Sequence, residues 1–171
     1  MDEQPETSAR VSRFGPMAYA IAAAVVILDQ LSKYWVLQVL NLPHRPPIVV
    51  LPILHLSMVW NQGVSFGLLR ANAEVGRWMI VAFAIVVVSV LAVWAWGVRR
   101  PLTAAAVGLV MGGAVGNNLV DRVRYGAVAD FLDLHIGFFP WVFNVADSAI
   151  TVGVVLLLLD GLLRSREEGS A

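Results

Sequence analysis

The sequence predicts an all-α integral membrane protein, with four transmembrane helices and a small extracytoplasmic β-rich cap between helices 1 and 2. Three observations carry that reading. Of the 171 residues, 58% are hydrophobic and 14% are charged, against about 25% charged in soluble domains. A soluble chain of this length has too little interior to hide so much apolar surface, so part of its solvent is lipid. Four apolar runs come close to the roughly 20 residues that cross a hydrocarbon core. Between the first two runs, the apolar pattern changes from a helical period to alternation.

Residues 1–15, with Asp2, Glu3, Glu6, Arg10 and Arg13, read as a disordered cytoplasmic tail. Residues 16–164 form one membrane domain, and residues 165–171 a second charged, disordered cytoplasmic tail. The first helix spans about 16–39. A charged start before an apolar run can mimic a secretory leader. This run continues too far and no cleavage site follows, so it reads as a retained span. Its second half carries Asp29, Gln30, Ser32 and Lys33. Asp29 and Lys33 are four apart, share a helix face and can pair.

The cap covers about 40–76 and opens as a proline-rich loop with Pro43, Pro46 and Pro47. Leu54, Leu56 and Met58 then alternate with His55, Ser57 and Val59, a strand-like pattern. A lone strand in lipid would leave its backbone groups unpaired, so this segment lies outside the hydrocarbon. The stretch Asn61-Gln62-Gly63-Val64-Ser65-Phe66-Gly67 has turn formers at both ends.

The second and third helices span about 77–98 and 102–121, joined by Arg99-Arg100-Pro101. Trp78 at one end of the second helix, and Trp94 and Trp96 at the other, sit where an interfacial aromatic belt belongs. Gly108, Gly112 and Gly116 recur every four residues, a spacing that lets helix backbones approach closely in lipid. Residues 127–142 are too polar and too broken to span. The fourth helix runs over about 144–163, with Asn144, Asp147 and Thr151 on one face.

Four spans put both termini on one side, together with Arg10, Arg13, Arg99, Arg100, Arg164 and Arg166. The positive-inside rule makes that side cytoplasmic, although Arg45, Arg70, Arg77, Arg122 and Arg124 fall on the other. A net charge of zero argues against a nucleic-acid partner. The absence of cysteine excludes disulfides, thiolate metal sites and a cysteine nucleophile. There is no His-x-x-x-His pair, no glycine-rich phosphate loop and no G-x-S-x-G elbow. His44 and His55 have no second ligand at useful spacing and read as surface or interface histidines. No metal and no cofactor is expected.

The topology brings Asp29, Lys33, the Asn61 turn, Asn118, Asp121, Arg122, Asp130, Asn144 and Asp147 to one depth at the outer face. Ionisable groups at membrane depth are costly and therefore mark function. Neighbouring carboxylates in a poorly solvated site share a proton. One can then act as base toward a water while the other protonates a carbonyl. Four outer aspartates compete for these roles: Asp121, Asp130, Asp133 and Asp147. Asp121 adjoins Arg122 and reads as its ion-pair partner, and Asp133 lies in a more polar stretch. Those readings favour Asp130 and Asp147 without excluding the others. A proton-coupled transporter would need polar groups through the whole depth of the membrane, whereas the inner halves of these helices are nearly all apolar. A non-catalytic assembly subunit would leave the clustered carboxylates without a role.

Five motifs resemble those of the lipoprotein signal peptidase (signal peptidase II) family. Asp29-Gln30-Leu31-Ser32-Lys33 is similar to its D-x-x-[ST]-K, and Asn61-Gln62-Gly63-Val64-Ser65-Phe66 to its N-x-G-x-x-F. Asn118-Leu119-Val120-Asp121-Arg122 is similar to N-x-x-D-R, and Val128-Ala129-Asp130-Phe131 to V-x-D-F. Phe143-Asn144-Val145-Ala146-Asp147-Ser148 is similar to F-N-x-A-D-[ST]. Five motifs in this order on four spans are specific, although each alone is weak. The resemblance implies an aspartic endopeptidase of the bacterial inner membrane with its site at the periplasmic face. Its substrates would be diacylglyceryl-modified prolipoproteins, cut just before the lipobox cysteine. It implies Asp130 and Asp147 as the catalytic pair. Asp29, Lys33, Asn61, Gly63, Asn118, Arg122 and Asn144 would line or brace the site. It further implies contact with membrane lipids and inhibition by globomycin-type peptides. The family's motif asparagine usually follows a glycine directly. Here Gly116 is followed by Asn117 and Asn118, so the glycine selects Asn117 whereas spacing to Asp121 selects Asn118, which is adopted.

Overall fold

The computed structural model describes residues 13–63, 73–136 and 139–169. Residues 1–12 of the tail expected over 1–15, and Val64-Ser65-Phe66-Gly67 of the second motif, lie outside them. Among the described residues, four helices are long and apolar enough to cross a membrane: Gly15–His44, Glu74–Gly97, Pro101–Tyr125 and Val145–Arg166. The first consists of α1 (Gly15–Tyr34), a π-helical turn over Trp35–Val39 and a 3-10 turn over Leu42–His44. The second is α2 (Ala73–Gly97). The third is α3 (Pro101–Ala114), a π-helical segment over Val115–Asp121, and the short α4 (Arg122–Tyr125). The fourth, α5 (Val145–Gly169), is helical well beyond residue 163, so most of the tail expected to be disordered is helix.

Local chemistry sets the ends of these helices. α1 and α3 both open with a proline in the first two positions, where its missing N–H costs no hydrogen bond. α4 stops at Gly126, whose φ of 78° is left-handed, as helix C-termini favour. The helix surfaces remain apolar where they leave the bundle. Phe83, Val86, Val90 and Val93 on α2 repeat at helical spacing and are all more than half exposed. A continuous apolar stripe of that kind suits lipid.

α3 is the most enclosed helix and packs against α1 on one side and α5 on the other. Its glycines make both contacts possible. A Cβ on Gly112 would stand 2.6 Å from the Ala22 carbonyl oxygen of α1, and one on Gly113 would stand 2.5 Å from the Ala146 oxygen of α5. Backbones approach this closely only where no side chain intervenes.

The sheet departs from expectation. It has four antiparallel strands in the order β1-β2-β3-β4, only half of them from the segment between the first two spans. β1 (Ile48–Leu51) and β2 (Leu54–Asn61) come from there. β3 (Val128–Ile136) and β4 (Phe139–Phe143) come from the stretch between the third and fourth spans, expected only not to span. β2 and β3 pair from Leu54 with Leu134 to Asn61 with Val128, with a bulge between Leu56 and Val59. A cluster of Val36, Leu42, Leu56 and Phe131 seats this sheet on the end of the first helix. A second cluster, of Ala18, Ala95, Val98, Ala104 and Val107, closes the opposite end of the bundle. There the buried Asp160 accepts a hydrogen bond from Thr103 Oγ1 at 2.7 Å and pairs with Arg100 at 3.3 Å.

The glycine contacts give a direct test of the packing. Gly112→Leu should destabilise the bundle by about 1–3 kcal/mol, the usual cost of overpacking, read as a lower unfolding temperature in detergent. Gly97→Ala is the control, because a Cβ there meets nothing within 4 Å. If Gly112→Leu unfolds with the unsubstituted protein, α1 and α3 do not touch at this point.

Candidate active site

The site is built outward from Lys33, on the last turn of α1 and only 1% exposed. Its ammonium donates to Asp29 Oδ2, one turn earlier, at 2.7 Å. It also meets Asp121 Oδ2 at 2.7 Å and Asn117 Oδ1 at 2.7 Å, both on the π segment of the third span. An ammonium carries three donors, and each has a partner. Asp121 is therefore paired with Lys33. This corrects the expectation that its partner is Arg122, because the helix turns the two consecutive side chains in different directions. Asp121 also accepts from Gln30 Nε2 at 2.9 Å and from the Ala129 amide at 3.1 Å.

The two asparagines of the π segment have different partners. Asn117 and Asp121, four apart, share a helix face and both reach Lys33. Asn118 points elsewhere and accepts from Arg122 Nε at 3.2 Å. Asn117 thus stands between Lys33 and Asp147, whereas Asn118, selected by spacing, meets Arg122. Its amide orientation follows from chemistry. Lysine only donates, so Oδ1 must face Lys33 and Nδ2 turns toward Asp147. Nδ2 donates to Asp147 Oδ1 at 2.7 Å.

Asp147 is positioned by the start of α5. Asn144 precedes the helix and accepts the Asp147 amide on Oδ1 at 2.9 Å, while Asp147 Oδ2 accepts the Asn144 amide at 3.1 Å. This is a reciprocal capping box in N-x-x-D form. The signal for it in the sequence is Asn144-Val145-Ala146-Asp147, an N-x-x-D spacing as well as a shared helix face. Asp29 Oδ1 takes the next free amide, that of Ala146, at 3.0 Å. The positive end of a helix dipole therefore faces two carboxylates.

Asp130 enters from β3. Val59 lies opposite Asp130 in the sheet, and Asn61, two residues further on, lies on the same face. Asn61 Nδ2 donates to Asp130 Oδ2 at 3.0 Å, and Asn144 Nδ2 donates to Asp130 Oδ1 at 2.7 Å. Asn61 is held in turn by the Gly63 amide, which donates to its Oδ1 at 2.8 Å. Gly63 has a φ of 73°, and a Cβ there would stand 2.7 Å from an Arg122 guanidinium nitrogen. Only glycine meets both conditions.

Asp130 and Asp147 line one cleft of about 560 Å³ with Asn61, Trp141, Phe143 and Thr151 among its walls. Burial raises the Asp130 carboxyl to about 6. The Asn61 hydrogen bond opposes that rise, the Asp147 charge adds to it, and Asn144 and Lys33 oppose it. A carboxyl in that range can give or take a proton near neutrality. A second carboxylate on the same cleft can take the complementary role.

Asp29, Lys33, Asn61, Gly63, Arg122, Asn144, Asp130 and Asp147 thus converge, with Gln30, Asn117 and Asp121 joining them. Asp133 stands apart, accepting from Ser57 Oγ at 2.6 Å and meeting His135 Nε2 at 3.0 Å. The Ser57 hydrogen bond, followed by that of His135, holds its carboxyl below the ordinary range.

The chain resembles known proteins along most of its length. Residues 21–163 match the family described as Signal peptidase (SPase) II. A lipoprotein signal peptidase of Caulobacter vibrioides is 55% identical over 159 residues, covering 91% of this chain and 92% of the relative. One from Methylobacterium sp. (strain 4-46) is 46% identical over 145 residues, covering 84% and 87%. A solved structure described as a bacterial membrane enzyme superposes with a TM-score of 0.75 at 29% identity, covering 91% of this chain and 93% of that one. With four candidate spans and this match over most of its length, the chain belongs to the signal peptidase II family.

Proposed function

We propose that this chain removes signal peptides from prolipoproteins, cutting just before the diacylglyceryl-modified cysteine, with Asp130 and Asp147 as an aspartic dyad. The observation that carries this reading is the pair of carboxylates on one cleft, each oriented by the same residue, Asn144. The names of the relatives supply the substrate class. The pair shares one proton, because two like charges at a poorly solvated site cannot easily both ionise. A water between them loses a proton to one carboxylate as it attacks the scissile carbonyl. The other carboxyl protonates that carbonyl oxygen. Proton ownership belongs to the pair. Asn117, itself held by Lys33, fixes Asp147, Asn61 fixes Asp130, and the Gly63 amide holds Asn61. The lipid tails of the substrate stay in the bilayer and hold the scissile bond at the depth of the cleft. A globomycin-type peptide would compete for the same cleft.

The test is cleavage of a lipidated prolipoprotein by purified protein in detergent. Asp130→Asn and Asp147→Asn should each lower the rate by between about 10²- and 10⁴-fold, the contribution of a positioned acid or base. The double variant should be scarcely slower, since such groups act as a unit. Asparagine at 147 can still cap α5, so folding survives, and globomycin binding serves as the check. Asp133→Asn should retain most activity. An active Asp147→Asn variant would remove the dyad.

The two asparagines can be separated in the same assay. Asn117→Ala should cost at least about tenfold in rate, because it leaves Asp147 without its side-chain donor and Lys33 one acceptor short. Asn118→Ala should stay within about twofold, having lost only a contact to Arg122. The reverse order would restore the spacing argument.

We propose further that both termini are cytoplasmic, that the membrane is the inner one, and that the sheet and cleft lie at the periplasmic face. The arginine distribution supports this orientation. A reporter fused after Arg100 should report a cytoplasmic location, and one inserted at Pro46 a periplasmic one. The opposite pattern would invert the site.

A further inference from the structure

Outside the cleft, β2 and β3 bring three potential metal ligands together. His55 pairs directly with Asp133 across the two strands, and His135, two residues beyond Asp133, lies on the same face. The two imidazoles stand 4.3 Å apart, centroid to centroid, tilted by 39°. One ligand atom from each of His55, Asp133 and His135 lies within 4.8 Å of the other two. Asp130 is three residues from Asp133, so strand alternation directs it away from this face. This corrects the expectation that His55 has no second ligand. Its partners are 78 and 80 residues away in sequence, on another hairpin, and only the register unites them.

We propose that His55, Asp133 and His135 form a binding site for a divalent transition metal of the zinc class, separate from the dyad. The donor set is two imidazoles and one carboxylate, which suits zinc and excludes the hard cations magnesium and calcium as preferred occupants. Ser57 Oγ donates to Asp133 Oδ2 at 2.6 Å and leaves Oδ1 directed at His135. Such an outer hydrogen bond orients a ligating carboxylate. Two zinc bonds of roughly 2.1 Å at the tetrahedral angle put ligand atoms about 3.4 Å apart. His135 Nε2 already lies 3.0 Å from Asp133 Oδ1, and its side chain is 47% exposed, so small ring rotations bring the three ligand atoms to that spacing. A bound ion would staple β2 to β3. The same two strands carry Asn61 and Asp130 at their other ends.

The experiment uses the full chain in detergent, stripped with EDTA and titrated with zinc chloride by calorimetry and by thermal unfolding. One saturable equivalent per chain should bind and raise the unfolding temperature, because a ligand that binds only the folded state stabilises it. Magnesium and calcium should do neither. His55→Ala and His135→Ala should each abolish the saturable binding and the thermal shift. Both variants should keep the metal-free unfolding temperature and the peptidase rate, since neither residue touches the cleft. If one variant does not fold, the other alone decides. The proposal is overturned if zinc gives no saturable binding, or if binding persists in a folded variant lacking either histidine.

Discussion

An ammonium ion enclosed by helices is the constraint on which the rest of this protein depends. Lys33 is surrounded by Asp29, Asp121 and Asn117, drawn from the first and third spans. Removing one partner from such a buried group is strongly destabilising, by about 3–5 kcal/mol, because the other charge is left uncompensated. The third span therefore cannot slide along the first without breaking the cluster. Charge balance extends the point. Four carboxylates (Asp29, Asp121, Asp130 and Asp147) share this region with two cations, Lys33 and Arg122. Burial raises the Asp130 carboxyl, and the nearby Asp147 charge adds to that rise.

Asn144 transmits that arrangement to the cleft. One amide side chain and one backbone N–H hold Asp130 and Asp147 together while also starting α5. Helix initiation and carboxylate geometry are thus the same set of hydrogen bonds. Every donor in the set is a backbone amide or a short side chain, with few torsions to freeze. Short side chains lose little entropy on ordering, so the geometry is maintained at small cost.

The four spans were legible because apolar length is a strong signal, and the aspartates because charge at membrane depth stands out. The paired Asp29 and Lys33 followed from a spacing of four on one helix. What was hidden depended on non-local geometry or on a change of helical period. Asn118 is selected by its spacing to Asp121, whereas the side chain that meets Lys33 and Asp147 is that of Asn117, within a π segment. Asp121 seemed to belong to Arg122 because adjacency in sequence was taken for adjacency in space. β3 and β4 were missed because Asp130, Asp133 and His135 made their stretch look merely polar. The π period has no composition signal, and a sheet drawn from two separate connections has no local one.

That divided sheet has a consequence for how the protein is made. β2 meets β3 only after the third span has been synthesised, and both cleft carboxylates follow that span in the chain. A nascent chain halted after three spans has neither Asp130 nor Asp147, and the edge of β2 has no partner. The ribosome must deliver the last third of the polypeptide before any of the cleft exists. The cleft, and whatever chemistry its two carboxylates perform, therefore arises only when membrane insertion is nearly complete.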